Sequence, residues 1–138
     1  MHSEIYVNLP VKDLRRSVEF FKKLGYTFNA QFTDENATCM ELGGNLYCML
    51  LTEKFFSTFT NKGICDTSTA TETLTCVACG SKAQVDQLVA KARAAGARVP
   101  RDAQDHGFMY AHGYEDLDGH TWELVHITGA PSQESPSP

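Results

Sequence analysis

The chain has 138 residues and a mass of 15.3 kDa, enough for one compact domain, and its composition is ordinary for a globular protein: 42% apolar, 21% charged, 10% aromatic. Twelve Lys and Arg against seventeen Asp and Glu leave a net charge of −5, which argues against nucleic acid or an anionic membrane surface as a partner. No apolar run approaches the ~18 residues of a membrane helix, and Met1–Ile5 shows no basic segment leading into an apolar stretch, which predicts no secretory leader.

In chain order, Ile5–Leu9 reads as a short strand, stopped by Pro10. Asp13 is a good N-cap for a helix whose apolar stripe is Leu14, Val18, Phe20, Phe21 and Leu24, with Arg15, Glu19, Lys22 and Lys23 on the other face. Gly25 ends it. Tyr26–Phe28 with Phe32 reads as a second strand, Asn36–Leu42 as a third, Gly43-Gly44-Asn45 as a turn and Leu46–Leu51 as a fourth strand. The second half repeats the order. Leu74–Cys79 is strand-like, and Ser81 caps a helix with the stripe Val85, Leu88, Val89 and Ala92, closed by Gly96. Ala97–Val99 is a short strand, and Gly107–Tyr114 and Thr121–Ile127 flank the Asp116-Leu117-Asp118-Gly119 turn. The two helix stops, Gly25 and Gly96, lie 71 residues apart. The fold class that follows is α+β, with two tandem βαβββ modules at 4–52 and 73–128 in a single domain, 1–128.

Between the modules, residues 53–72 are rich in Thr and Ser with Phe55, Phe56 and Phe59 as anchors; a linker, a short helix, a lid and a dimer arm all stay open. Gly129–Pro138 is Pro- and Ser-rich and reads as a disordered tail. The five cysteines are an odd number, which points to free thiols in a reducing, cytoplasmic setting. Cys76-Val77-Ala78-Cys79 has the C-x-x-C spacing, but in a strand residues i and i+3 point to opposite faces, so it reads as structural. Trp122 and the Phe20/Phe21 pair read as core.

The segment Ile5-Tyr6-Val7-Asn8-Leu9-Pro10-Val11-Lys12-Asp13-Leu14-Arg15-Arg16-Ser17-Val18-Glu19-Phe20-Phe21, followed by Leu24-Gly25-Tyr26, resembles the opening of the vicinal oxygen chelate superfamily. The close, Tyr114-Glu115-Asp116-Leu117-Asp118-Gly119-His120-Thr121-Trp122-Glu123-Leu124, resembles it too. That superfamily holds glyoxalase I, bleomycin-resistance proteins, fosfomycin-resistance transferases and extradiol dioxygenases, and the nearest branch is that of predicted lactoylglutathione lyases. The resemblance implies curled mixed β-sheets around a cavity, a homodimer and a small-molecule ligand.

It also implies a divalent metal held by His, Glu or Gln from the first and last strands of each module. Carried over by position, those ligands fall at Tyr6, at Cys48 or Met49, near Leu74 and at Glu123. Only Glu123 keeps hard-ligand chemistry, whereas an open catalytic site needs about three protein ligands. No resident cofactor is therefore expected, with nickel, zinc, iron or manganese left open. Glu123 reads as a remnant metal ligand, as a general base, or as a structural carboxylate. Tyr6, Asn8, Cys48, Met49, Tyr110 and His112 are the candidate ligand contacts; Phe108, Tyr110 and His112 share a strand face that either lines the cavity or faces out. His120 reads as a surface residue at the end of a turn, His126 as pointing away from Glu123, and His106 as part of a loop at the pocket rim. The leading expectation is a binding module similar to bleomycin-resistance proteins. The alternatives are a metal-dependent lyase or isomerase of the glyoxalase I type, an extradiol-type dioxygenase, which needs two His that are not at ligand positions, and a protein–protein module.

Overall fold

The structure is a computed structural model and describes residues 1–129; the predicted tail, beyond Gly129, lies outside the described residues. Two compact units are present, Met1–Glu72 and a second that starts at Thr73.

In unit 1, strand β1 (Ile5–Val11) leads into helix α1 (Leu14–Lys23), followed by β2 (Thr27–Asn29), β3 (Ala37–Gly43) and β4 (Leu46–Thr52). The sheet order is β1-β4-β3-β2, with β1 parallel to β4 and the other pairs antiparallel. Asp13 caps α1 as its side chain accepts from the Arg16 amide at 3.1 Å. Gly25, at φ 103°, ends the helix in a conformation that L side chains avoid, and the next amide, of Tyr26, returns to the Phe21 carbonyl at 3.2 Å. The charged face of α1 stays in water while Phe20 and Phe21 are buried. Phe32 departs from the predicted second strand. It lies in a 3-10 turn over Ala30–Phe32, because the Asn29 side chain accepts from the Gln31 amide at 3.0 Å and turns the chain out of the sheet. Between the predicted modules, Glu53–Phe56 forms a one-turn helix, α2, followed by a 3-10 turn over Ser57–Phe59. Phe55 and Phe59 meet there edge to face at 5.1 Å.

Unit 2 repeats the plan with β5 (Leu74–Ala78), α3 (Lys82–Ala94), β6 (Gln104–Asp105), β7 (Met109–Glu115) and β8 (Thr121–Ile127), in the order β5-β8-β7-β6. The β5–β8 pair is parallel and the others antiparallel. Each unit is thus an open four-stranded mixed sheet with a covering helix, which makes the chain α+β with two tandem βαβββ modules. Gly96, at φ 107°, closes α3 as Gly25 closes α1, and here Ala97 returns its amide to Ala92 at 2.9 Å. The strand predicted at Ala97–Val99 is a single bridge, Arg98 to Glu115, and the second strand of this module is β6 instead. Pro100 has no amide to give a ladder, so pairing stops beside it and resumes at Gln104.

Strand alternation sorts each sheet into two faces. In unit 1, Leu9, Met40, Cys48 and Leu50 share the α1 face and are at most 2% exposed. In unit 2, Tyr114, Trp122 and Leu124 share the face that α3 covers. No helix of the described residues is long and apolar enough to cross a membrane.

Candidate functional site

The faces opposite the helices carry the candidate chemistry. In unit 2, register places Leu74 beside Thr121, Cys76 beside Glu123, Gly113 beside Glu123 and Glu115 beside Thr121, all on one face. A cavity of about 180 Å³ opens there, with Leu74, Ala111, Gly113, Thr121 and Glu123 among its walls. The loop Pro100–Gln104 closes one side with Pro100, Arg101, Asp102 and Gln104. Glu123 is half-buried, and among the described residues its carboxylate carries no hydrogen bond or ion pair. A carboxylate in a walled recess without an internal partner is a ready acceptor for a donor that arrives from outside.

Tyr110 and His112 fall on the other face. The Tyr110 hydroxyl donates to Asp86 of α3 at 2.6 Å, and Lys82 Nζ lies 5.7 Å from the centre of its ring. The hydrogen bond to Asp86 is the main cause that raises the Tyr110 phenol above its ordinary range. His112 stands at the edge of the sheet, where it borders the cavity and meets the Arg101 carbonyl through Nε2 at 3.1 Å.

In unit 1, the equivalent register brings Tyr6 beside Tyr47 and Asn8 beside Met49, with Cys39 next to Met49 on the same face. Tyr6 and Tyr47 stack at 4.8 Å and 15°, and Tyr6 is 47% exposed. Its hydroxyl donates to Glu4 at 3.0 Å, which raises the Tyr6 phenol. Tyr6, Asn8 and Met49 are therefore neighbours. Cys48 is separated from them, fully buried on the α1 face, because adjacent residues of a strand point to opposite sides.

His120 is not a surface residue. It is 5% exposed, and its amide donates to Asp116 Oδ1 at 3.0 Å. The same oxygen takes the Asp118 amide at 2.9 Å, and Asp116 Oδ2 accepts from the Trp122 indole at 3.0 Å. Burial raises the Asp116 carboxyl, against an opposing pull from His120, Trp122 and the two amides. Sequence reasoning missed the cavity residues Ala111, Gly113, Glu115 and Thr121. Their signal was available in the alternation outward from Glu123.

The donor set bears on a metal. Among the described residues no group of three or more His, Cys, Asp or Glu converges. Among the described residues of unit 2, the Cys76 thiol is the potential donor directly beside Glu123 on this face, since its other strand partner, Gly113, has no side chain. Two donors of unlike softness do not make the three-ligand open site that the resemblance implies, so the residues of each unit do not fit such a metal.

Cys76 supplies a direct check of this face. Burial and then the charge of Glu123 push its thiol above the ordinary range. Its alkylation by iodoacetamide is expected to rise with pH later than that of a free cysteine, and Glu123→Gln to move the midpoint down. Peptide mapping by mass spectrometry reads both; an unmoved midpoint in the variant would separate the two side chains.

Residues 5–43 match the family profile described as bleomycin resistance protein-like N-terminal. No curated protein matches the chain. Among solved structures it is similar to a hypothetical protein from S. aureus, with 25% identity, TM-score 0.78 and coverage of 92% of this chain and 95% of that one. It is also similar to a glyoxalase-related enzyme from Fulvimarina pelagi, with 16% identity, TM-score 0.77 and coverage of 99% and 96%. A lactoylglutathione lyase from Agrobacterium tumefaciens follows at 15% identity, TM-score 0.66 and coverage of 88% and 91%.

Proposed function

We propose that the chain is a member of the vicinal oxygen chelate superfamily that binds a small organic molecule in the Glu123 cavity, with Glu123 as the group that orients it. The observation that carries this reading is the pairing of an unpartnered, half-buried carboxylate with a small, mainly uncharged floor of Leu74, Ala111 and Gly113. A ligand with a hydrogen-bond donor or a cationic group meets Glu123, while its apolar part covers the floor. Where the ligand has an acidic C–H, the same carboxylate stands ready to take the proton. Within unit 1, taken by itself, Tyr6, Asn8 and Met49 are proposed as a separate ligand-contact surface, with the Tyr6–Tyr47 stack offering a flat aromatic face. Cys48 belongs to the core. A homodimer and a cytoplasmic setting are part of the same proposal.

The test is binding by titration calorimetry against a panel of neutral and cationic aromatic compounds, on protein purified without chelator. At least one compound is expected to bind, and Glu123→Gln to weaken it about tenfold, the scale of one lost charge-assisted hydrogen bond. Nickel, zinc or iron at one per chain, together with turnover of the methylglyoxal–glutathione hemithioacetal, would replace this reading with a metal-dependent lyase.

A further inference from the structure

The segment that closes one side of the cavity is held in an unusual way. At its start, Arg98 exchanges two backbone bonds with Glu115, at 3.1 and 2.8 Å. At its end, β6 pairs with β7 over only two residues, and Lys82 reaches from α3 to Asp105 at 2.9 Å. Between these anchors lie residues 99–103, which are outside any strand and mostly exposed. Among the described residues, the one hydrogen bond that ties this stretch to the sheet runs from His112 Nε2 to the Arg101 carbonyl. Pro100 fixes its own φ and removes one amide from the stretch, which leaves it fewer backbone bonds to the sheet.

We propose that residues 99–103 are a movable wall of the cavity, latched by His112, which makes His112 a positioning residue that fixes where Arg101 and Asp102 stand beside the ligand. A carbonyl only accepts, so the latch requires the proton on Nε2. One hydrogen bond of this kind shifts a two-state opening about five- to tenfold. The wall's role in admitting a ligand rests on the proposed function; the latch itself rests on the geometry.

Limited trypsinolysis of the full chain, with no ligand present, tests the latch and keeps its outcome separate from that of ligand binding. Cleavage after Arg101 is expected to be slow in the wild type and about five- to tenfold faster in His112→Leu, with cleavage after Lys91 and Arg93 of α3 unchanged. His112→Gln places an amide donor near the position of Nε2 and is expected to restore the slow rate. Wild-type cleavage in His112→Leu, equal acceleration at all three sites, or failure of His112→Gln to restore it would each overturn the proposal. If His112→Leu does not fold, the nitrogen-15 shifts of the wild-type imidazole decide: a proton on Nε2 supports the latch, and one on Nδ1 alone overturns it.

Discussion

Asp116→Ala is expected to destabilise the protein by about 3–4 kcal/mol, as read from urea unfolding. The wild-type carboxylate is 6% exposed and accepts from three donors: the amides of Asp118 and His120 and the indole of Trp122. Alanine takes the acceptor from all three and leaves a gap beside Trp122, which is 0% exposed. A small domain has about 5–15 kcal/mol in total, so a large share of the stability is at stake. The charge itself works the other way. Because burial raises the folded carboxyl above its ordinary 3.8, the folded chain binds that proton more tightly than the unfolded chain does. Between 3.8 and the raised value, this group's contribution to stability falls as pH rises. Asp116→Asn removes that slope, and thermal midpoints measured across the acid range would show it. A loss under ~1 kcal/mol in the alanine variant would mean that the turn closes without its carboxylate.

Gly113→Ala is expected to destabilise by about 2–3 kcal/mol, a sign opposite to the usual one. A glycine inside a strand ordinarily costs about 0.5–1 kcal/mol relative to alanine, so the exchange normally helps. Here a Cβ on Gly113 would press into the backbone carbonyl oxygen of Trp122. A backbone atom inside a paired strand cannot step aside as a side-chain tip does, so β7 and β8 must part where Gly113 pairs with Glu123. Ligand affinity is expected to fall with stability, since the methyl distorts the floor beside Glu123. Calorimetric unfolding of the variant decides; a gain in stability would show that the strands yield freely.

The sequence exposed the skeleton of this fold because its punctuation is local. The Asp13 cap, the glycine stops at 25 and 96 and the Gly43-Gly44 turn each act within a few residues, so they were readable without tertiary knowledge. Two elements escaped for a physical reason. Phe32 looked like strand material, but the Asn29 side chain turned the backbone first. Ala97–Val99 had strand character, but its neighbour Pro100 offered no donor, and the pairing moved to Gln104–Asp105, which has no β propensity of its own. The site was less legible. Glu123 was found because, of the ligand positions that the resemblance implies, it alone keeps hard-ligand chemistry, yet Cys48 and Met49 could be told apart only by register, where a one-residue slip exchanges the faces. His120 looked exposed because turns usually are; the Asp116 side chain drew its backbone inward.

Trp122 is the single indole of the chain, and it sits wholly inside unit 2, parallel to Tyr114 at 6.5 Å and hydrogen-bonded to a carboxylate. Selective excitation of that indole therefore reports on one half of the molecule while the other half, which has tyrosines but no tryptophan, stays dark. Monitored beside far-ultraviolet dichroism, which reads both sheets, its emission shows directly whether the duplicated halves melt in one step or in two.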